Sequence, residues 1–468
     1  MRRRVAVIGA GITGLAAAWE LAGHDTDVTV TVYEASDRVG GKLRLEQVGG
    51  ALVDVGAESV LARRPEALTL FEEIGLDHRT THPSAVGATI VSRGRRWPMP
   101  SGTVMGVPSD PESVRGLLTD DEVRRLCDEP LGTLVAEDVS VGDFVDGRLG
   151  PAVTDRLVEP LLAGVYAGHA RHLSLDMAVP PLRRAAQEGR SLLEVSREAQ
   201  LTALSAPAAV LPVFATLVGG LGTLPPALEA ALLDAGVDVR TRAVVREVRR
   251  DADGWLVAAG PTTDVVLEHH DAVVIAVPAH PAARLLTDVA PVAAARLAAV
   301  DYASMAIITL AVDGRPEALT GTSGFLVPPV EGLTIKAATF STSKWPWLAE
   351  AHPDRSWLRA SIGRHGEAAS LQHDDAVLVE TALVDLRKVV GDLPDPVDAH
   401  VQRWGGGLPQ YAVGHRRAVE VARRDLPPTI SLAGAAYDGV GIPACIASGR
   451  AAARALLTRR GRGPQLLS

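Results

Sequence analysis

The sequence predicts an α/β chain, α+β overall, that begins with a βαβ unit. Three observations predict this fold class: a strand, glycine turn, helix and strand at the amino end, a helical pattern over about 112–197, and alternating apolar residues over about 301–364. The 468 residues suggest two or three domains. Hydrophobic residues make up 47% of the chain, which excludes a disordered protein.

The first predicted unit comprises a buried strand over Arg4–Ile8, a turn over Gly9–Gly14, a helix over Leu15–Leu21 and a β-branched strand over Val28–Tyr33. The chain from about 83 to 111 is expected to be irregular and basic. Later predicted elements are a helix over Pro225–Leu233, a hairpin through Val237–Val239 and Val244–Val248, a strand over Asp271–Val277, antiparallel strands over Ile307–Val312 and Leu358–Ile362, a helix over Leu378–Val390, and a Gly-rich loop from Leu432 that leads into an Ala-rich helix.

Charge and cysteine content exclude several classes of function. The formal net charge of -9 argues against a nucleic-acid-binding protein, although local arginines can still create a positive pocket. Cys127 and Cys445 have neither zinc-site nor CxxC spacing, so we expect no metal site and two reduced thiols in a cytoplasmic protein.

Two apolar stretches could be mistaken for export or membrane signals. The first follows Met1–Arg4, but it belongs to the glycine motif and predicts no signal peptide. The second lies between Glu198 and Glu229, where Pro207 and Pro212, among other prolines and glycines, interrupt any continuous helix. Buried strand and loop is the favoured interpretation, with peripheral membrane contact left open.

The glycine turn has the sequence context of a dinucleotide site. Gly9 permits a tight turn, Gly11 lets the backbone approach a pyrophosphate, and Gly14 lets helix and strand pack closely. Glu34 ends the second strand, twenty residues after Gly14, where an acid accepts hydrogen bonds from ribose hydroxyls. The amino terminus of the helix favours the negative charge of phosphate.

Two following segments resemble those of the glutathione-reductase-like FAD families. In the first, Glu34 to Lys42, the basic side chains of Arg38 and Lys42 would lie near phosphate or ribose; an ion pair is the alternative for Arg38. In the second, Asp54 to Ser59, the resemblance implies that Gly56 abuts the isoalloxazine ring. A solvated loop acid is the alternative for Glu58. We therefore expect FAD, held noncovalently.

The carboxyl end completes the expected cofactor site. A strand enters Gly434, and Pro443 suits the first turn of the helix that follows. In flavin oxidases of this type, such a helix directs its amino terminus toward the pyrimidine edge of the flavin and favours the anionic reduced form. Glycines at 439 and 441 allow close approach of a ligand.

Longer segments carry a more specific resemblance: Gly56–Arg64, Val158–Gly168 (VEPLLAGVYAG), Phe214–Leu228, Arg403–Tyr411 and Tyr437–Pro443. They resemble the porphyrinogen oxidases of haem synthesis, and bacterial members that act on coproporphyrinogen III most of all. The resemblance implies a discontinuous, glutathione-reductase-like FAD-binding Rossmann domain, an antiparallel-sheet substrate domain and a helical domain. The boundaries we expect are 1–82, 213–285 and 425–468 for the first, 83–110 and 286–424 for the second, and 111–212 for the third, which is a candidate for facing the membrane.

The resemblance also implies a set of binding residues. Arginine suits the carboxylates of a porphyrinogen, although surface roles are equally expected for Arg63, Arg64 and the arginines of 93–96. Val244 is an alternative register for Val245. The implied FAD contacts are Gly9, Ala10, Gly11, Ile12, Thr13, Gly14, Glu34, Ala35, Lys42, Gly56, Ala57, Glu58, Ser59, Val245, Trp404, Val440, Gly441 and Ile442, with Arg38 added from its charge, and the substrate contacts are Arg63, Arg64, Gly324, Phe325 and Leu326.

The implied reaction needs little acid–base equipment. Hydride would leave a bridging carbon of the porphyrinogen for the flavin, and dioxygen would reoxidise the flavin to give hydrogen peroxide. We therefore expect no catalytic side chain, and we expect structural roles for His169 and His172. A functional link to the next enzyme of haem synthesis is a further expectation from the resemblance.

Three alternatives stay open at this stage. Protoporphyrinogen differs from coproporphyrinogen in bearing vinyl groups in place of propionates, and the sequence does not separate them. A flavin amine oxidase is disfavoured because Ser304 and Met305 stand where that class has a lysine, and because Gly405–Leu408 offers no cysteine for a covalent flavin. A cofactor-free lipid-chaperone module is disfavoured by the intact glycines and Glu34.

Overall fold

The computed structural model describes residues 2–24, 27–132, 134–205 and 212–458. The described strands are β1 Arg3–Ile8, β2 Val28–Tyr33, β3 Leu45–Val48, β4 Ala51–Asp54, β5 Val60–Leu61, β6 Thr80–Thr81, β7 Thr89–Ser92, β8 Arg95–Pro98, β9 Thr103–Val104, β10 Val107–Pro108, β11 Phe214–Leu217, β12 Asp238–Arg240, β13 Val245–Asp251, β14 Gly254–Ala259, β15 Val266–His270, β16 Ala272–Ile275, β17 Tyr302–Asp313, β18 Gly324–Leu326, β19 Ile335–Thr339, β20 Arg355–Ile362, β21 Asp398–Pro409 and β22 Ile430–Leu432.

Helices occupy much of the remaining chain. The described α-helices are α1 Ile12–His24, α2 Pro65–Glu73, α3 Asp120–Cys127, α4 Val141–Leu149, α5 Pro151–Val153, α6 Glu159–Tyr166, α7 Leu175–Ala178, α8 Pro180–Glu188, α9 Leu192–Ser205, α10 Leu224–Asp234, α11 Ala279–Leu286, α12 Pro291–Ala298, α13 Ser341–Lys344, α14 Pro346–Ala351, α15 Asp375–Val390, α16 His415–Asp425, α17 Ala435–Asp438 and α18 Ile442–Thr458.

A five-stranded parallel sheet contains the amino-terminal unit. Its strand order is β12, β2, β1, β16 and β22, so segments far apart in the chain meet in one sheet. The strands are short and apolar because helices cover both faces of a parallel sheet. This arrangement confirms the predicted α/β class and the predicted strand, helix and strand at the amino end.

The predicted hairpin over residues 237–248 is wrong. β12 joins the parallel sheet beside β2, whereas β13 pairs with β14 in a separate antiparallel three-stranded sheet completed by β15. Two valine-rich runs close together in sequence suggested a hairpin, but Arg242, with a positive φ of 56°, turns the chain from one sheet into the other. Val245 therefore begins the first strand of a hairpin, not the second.

A seven-stranded mixed sheet forms the second layer, in the order β21, β17, β20, β19, β18, β7 and β8. The predicted antiparallel pairing is confirmed, since Ile307 lies opposite Ser361. The expectation that 83–111 is irregular is wrong, because β7 and β8 extend this sheet and β9 pairs with β10. Polar and basic residues concealed these strands, which lie near the sheet edge, where exposed charges are common.

The predicted helical segment over about 112–197 is confirmed by α3 to α9, which we call the helical block. These helices share one apolar core, to which the seven-stranded sheet also contributes. Within it, α5 passes into α6 through a π-helical turn over Thr154–Val158. Such turns interrupt regular helical hydrogen bonding and often lie near functional sites. The carboxyl-terminal Gly-rich segment differs from a plain loop because α17 forms between β22 and α18.

Packing of α18 on α1 closes the first layer. A Cβ built on Gly449 would lie 2.1 Å from the carbonyl oxygen of Thr13, so only glycine permits this separation. Across the described ranges, no helix combines the length and apolar character needed to cross a membrane.

Candidate functional site

The glycine turn is sterically closed on one side and open on the other. A Cβ on Gly9 would lie 2.9 Å from the carbonyl oxygen of Ala276, and a Cβ on Gly14 would lie 1.8 Å from that of Gly9. A Cβ on Gly11 would meet no atom within 4 Å. The first turn of α1 therefore presents its free N–H groups to open space, as a pyrophosphate requires.

Glu34 faces this turn from the end of β2. Its Oε2 accepts a hydrogen bond from Ala10 N at 2.8 Å, and its Oε1 accepts from Ser36 N at 2.8 Å and from Ser36 Oγ at 2.9 Å. Ala35 beside it is exposed. The structure thus brings the glycine turn and the predicted ribose acid together, and the half-buried carboxylate keeps unused lone pairs for hydroxyl donors.

The basic residues of the next loop have different surroundings. Arg38 donates to the carbonyl oxygens of Val39 at 3.0 Å and Gly41 at 2.7 Å, so its guanidinium orders the loop. These backbone contacts take the place of the ion pair considered for Arg38, and its contact with phosphate or ribose stays a prediction. Lys42 is exposed, and its carbonyl oxygen accepts from Ala57 N at 3.2 Å.

The predicted flavin turn packs tightly against Lys42 and Trp404. A Cβ on Gly56 would lie 1.9 Å from the Lys42 carbonyl oxygen and 3.2 Å from Cζ2 of Trp404. The Trp404 Nε1–H donates to the carbonyl oxygen of Val55 at 3.2 Å. Ser59 follows in the same half-buried turn. The structure therefore brings residues 54–59 and the distant Trp404 to one place.

Glu58 is an internal ion-pair partner, not a solvated loop acid. Its carboxylate oxygens lie 2.5 Å from Lys344 Nζ and 2.8 Å from Arg359 Nη1, and its side chain is 12% exposed. Burial acts to raise the pKa of Glu58, but the two neighbouring cations have the larger, opposite effect and lower this pKa to about 2. The carboxylate is therefore ionised at neutral pH.

Lys344 and Arg359 were not anticipated from the sequence. One signal was available for Arg359, because it interrupts an apolar strand, and an arginine in such a strand requires a buried partner. Lys344 lies on the short α13, and nothing in its spacing indicated a pairing with Glu58.

The carboxyl-terminal segment adjoins the glycine turn. Ser448 Oγ accepts from Gly434 N at 2.8 Å, and a Cβ on Gly434 would lie 3.7 Å from Thr13 Oγ1. Val440 packs against the helical block and Ile442 against the core of the first layer. Gly441 between them is exposed at the amino end of α18, as the expected cofactor contact requires.

Val245 lies on the Glu34 side of the site. Ala243 N donates to the Glu34 carbonyl oxygen at 2.8 Å, which places the start of β13 beside the end of β2. Val245 packs against the core of this region, whereas Val244 is 38% exposed. Val244 and Val245 therefore both lie near Glu34, and Val245 is the more buried of the two.

The expected substrate residues separate into two groups. On β18, Phe325 is buried in the core beneath α15, whereas Leu326 packs toward the helical block. A Cβ on Gly164 of α6 would lie 3.9 Å from Leu326, an ordinary van der Waals distance, so α6 packs closely against β18 at this point. A Cβ on Gly324 would lie 2.1 Å from the Ala338 carbonyl oxygen, which makes this glycine a packing requirement.

The candidate arginines lie at the surface. Arg63 is exposed, and Arg64 forms an ion pair with Glu66 at the start of α2. Arg93 pairs with Glu122 at 2.8 Å. Arg95 lies over the Trp97 ring, 5.4 Å from its centroid. These contacts occupy the guanidinium groups of Arg64 and Arg93 with protein partners.

A second group of buried charges lies where the seven-stranded sheet meets α6. Lys336 is 2% exposed in a β-bulge of β19, and its Nζ donates to the Gly363 carbonyl oxygen at 2.7 Å. Burial, with the nearby charge of Arg364, lowers the pKa of Lys336 to about 7. Glu159 accepts from Ala170 N at 2.6 Å and lies 3.0 Å from His169 Nδ1, whose pKa this hydrogen bond raises. This geometry gives His169 a structural partner.

The assembled residues fit a flavin dinucleotide. At one end lie the open glycine turn and Glu34; at the other lie the turn around Gly56, Trp404 and the start of α18. The loop with Gly41 and Lys42 connects the two ends. A Cβ on Gly41 would lie 3.4 Å from Gly11 Cα, and the carbonyl oxygen of Lys42 lies against Gly56. No cluster of candidate metal ligands occurs in the part of the chain that the structure describes.

Comparison with known proteins finds similarity to oxidoreductases along nearly the whole chain. A family profile described as flavin containing amine oxidoreductase matches residues 12–457. A relative named coproporphyrinogen III oxidase, from Mycobacterium tuberculosis (strain ATCC 25618 / H37Rv), is 38% identical over 459 residues, covering 96% of each chain. A relative named protoporphyrinogen oxidase, from Bos taurus, is 31% identical over 496 residues and covers 98% of this chain and 99% of its own.

The fold also matches a crystal structure from Exiguobacterium sp. 255-15. The TM-score is 0.85 at 30% sequence identity, and the match covers 98% of this chain and 100% of the other. The similarity therefore extends over nearly the whole molecule.

The buried Lys336 generates a pH-dependent prediction. Its pKa in the folded protein is about 7, against an ordinary value of 10.5, so between these values the unfolded chain binds more protons. Stability from this group therefore rises as pH increases from about 7 to about 10. We expect Lys336→Met to be more stable than the unsubstituted protein near pH 7, with a difference in thermal midpoint that shrinks toward pH 10.

The matched control is Lys388→Met, which removes a lysine whose side chain is 59% exposed on α15. A Lys336→Met midpoint that lies below the unsubstituted protein near pH 7, or a difference that is independent of pH, would contradict the assignment of a poorly solvated ammonium group.

Proposed function

The chain belongs to the family of flavin-containing amine oxidoreductases, and from this premise we propose that it oxidises coproporphyrinogen III to coproporphyrin III, with FAD as cofactor and dioxygen as electron acceptor. The observation that carries the proposal is the 38% identity, over 96% of both chains, with a relative named coproporphyrinogen III oxidase. The reaction gives hydrogen peroxide and belongs to haem biosynthesis, where the product would pass to the next enzyme.

The cofactor is proposed to lie along the residues brought together by the two layers. The first turn of α1, with Ile12 and Thr13, would hold the pyrophosphate, and Glu34 would accept from the ribose. Residues 56–59, Trp404 and the start of α18 would surround the ring. When bound, the flavin supplies the hydride acceptor, which no side chain can provide.

The protein's own contribution is proposed to be positioning and exclusion of water. A porphyrinogen becomes aromatic on oxidation, so the reaction needs no strong acid or base from the chain. Leu326 of β18 packs toward the helical block, and its apolar side chain would form part of a wall for a flat macrocycle. The expected division into FAD-binding, substrate and helical domains follows this separation of tasks.

Protoporphyrinogen oxidation is the nearest alternative, supported by the 31% identity with the Bos taurus relative. Amine oxidation is supported less well, because Met305 lies opposite Trp404 where a lysine would be required, and the nearby Lys344 is paired with Glu58.

Peripheral contact with a membrane by an otherwise cytoplasmic protein is a further part of the proposal. Leu201 and Leu204 at the end of α9 are 57% and 67% exposed, and Val213 and Phe214 are also exposed. These four residues lie on either side of residues 206–211, which are outside the described ranges. Exposed apolar side chains on both sides of one segment favour an apolar surface as partner.

The substrate assignment predicts a difference between porphyrinogens. With the FAD-loaded protein, we expect kcat/KM for coproporphyrinogen III to exceed that for protoporphyrinogen IX by about tenfold or more, since a charge-assisted hydrogen bond to a propionate contributes about 1.5–3 kcal/mol. Porphyrin fluorescence measures turnover, and flavin-free protein corrects for spontaneous oxidation. Equal or reversed rates contradict the assignment, and peroxide formation with a primary amine instead supports the amine oxidase.

The cofactor assignment predicts that Glu34→Ala weakens FAD binding by about tenfold to a hundredfold, because hydrogen bonds between the carboxylate and ribose hydroxyls are lost. Flavin retained after dialysis, followed by its absorbance, measures the effect. Asp37→Ala removes an exposed acid from the same loop and serves as the control. Unchanged flavin content in the Glu34 variant refutes the ribose role.

The membrane contact predicts that the double variant Leu201→Ser and Leu204→Ser sediments less with phosphatidylcholine vesicles than the unsubstituted protein, because apolar area available for insertion is lost. Leu52→Ser with Leu233→Ser, which removes two leucines that are each 54% exposed elsewhere on the surface, is the control. The proposal fails if both pairs behave alike or if the unsubstituted protein does not sediment with vesicles.

A further inference from the structure

Three charged side chains form a compact group behind the turn that contains Gly56, and we call Glu58, Lys344 and Arg359 the Glu58 network. Their side chains are 12%, 16% and 10% exposed, so solvent screens them weakly. Glu58 belongs to the segment after β4, Lys344 to α13 and Arg359 to β20. The network therefore connects the first layer with the seven-stranded sheet.

The network carries an excess of positive charge. One carboxylate faces two cations, at 2.5 Å and 2.8 Å. The nearby acid, Asp54, restores the balance only in part, because burial raises its pKa to about 7 despite hydrogen bonds from the backbone of Leu221 and Gly222. The Arg359 Nε is buried without a partner among the described residues. An uncompensated cation in such surroundings is costly unless a negative group lies near it.

The excess charge is directed at the turn expected to touch the flavin ring. Arg359 Nη2 donates to the Gly56 carbonyl oxygen at 2.5 Å, so a guanidinium contacts the peptide itself. On the other side, Lys344 Nζ lies 4.8 Å from the centroid of the Trp345 ring and 5.6 Å from that of Phe214, contacts that hold the ammonium group in place. Neither cation has a second acid as a partner in the described chain.

We propose that the Glu58 network is a positioning unit that tunes the bound flavin: its net positive charge stabilises the negative charge that the ring gains on reduction, and Glu58 moderates this effect while fixing the two cations. This inference rests on the proposed binding of FAD beside Gly56. None of the three residues is required to touch the substrate. Because a nearby positive charge favours the more negative form of a group, each cation raises the reduction potential of the flavin and Glu58 lowers it.

The test compares reduction potentials of FAD-loaded variants in equilibrium with a reference dye, without any substrate. Lys344→Met retains the length of the side chain and removes one cation, so the potential should fall. Glu58→Gln retains the shape and removes the anion, so the potential should rise. Shifts of opposite sign are the expected result; a merely structural role would shift both variants in the same direction or shift neither, and either outcome overturns the proposal.

Two controls separate charge from disturbance of the fold. Glu331→Gln breaks another internal ion pair, in which Glu331 lies 2.6 Å from Arg156, outside the Glu58 network. It should lower thermal stability and leave the potential unchanged. Lys344→Arg preserves the charge and should retain the original potential. If Glu58→Gln does not fold, the pair Lys344→Met and Lys344→Arg decides the question, and equal potentials for these two overturn the proposal.

The test also distinguishes this proposal from the proposed function. Flavin potentials that shift as expected in a protein that oxidises no porphyrinogen would support the Glu58 network and reject the substrate assignment. Normal porphyrinogen turnover with equal potentials in all variants would reject the network alone. A protein that binds no FAD would reject both.

Discussion

Steric exclusion at the glycine turn is the constraint on which the remaining structure depends. Any side chain at Gly14 would overlap the Gly9 carbonyl oxygen, and any side chain at Gly449 would overlap that of Thr13. The first restriction holds α1 against the parallel sheet, and the second holds α18 against α1. α1 begins at the glycine turn and α18 begins at the end of the site near Gly56, so each end of the candidate site receives the partial positive charge of one helix amino terminus.

Internal ion pairs then fix the second sheet and the helical block relative to this region. Glu58 connects the first layer to β20 and α13, and Glu159 connects α6 to the segment around His169 and Ala170. Charges of this kind cost free energy to bury, and an apolar contact would often be equally stable. Their effect on geometry is clearer than their effect on stability, because each carboxylate fixes the direction of several donors at once.

The parts predicted correctly from the sequence are those encoded by local patterns. The glycine turn, β1, α1 and β2 follow from propensity and spacing, and the position of Glu34 beside the glycine turn follows from its place after β2, whereas its ribose role stays a prediction. The exchange of β12 into the parallel sheet could not be predicted, because pairing partners separated by two hundred residues leave no local signal. For the same reason, Glu58 was identified while Lys344 and Arg359, which determine its state, were not.

The net charge of the chain illustrates why composition describes a surface better than a site. The sequence has an excess of nine negative charges, yet the seven-stranded sheet and its neighbours enclose Lys336, Lys344, Arg359 and Arg364 with fewer acids than bases in direct contact. Acidic residues at the surface are solvated and act only at short range at physiological ionic strength. A ligand in the interior is influenced by the enclosed cations first. The overall charge of the chain therefore gives no indication of the charge that a ligand in its interior would meet.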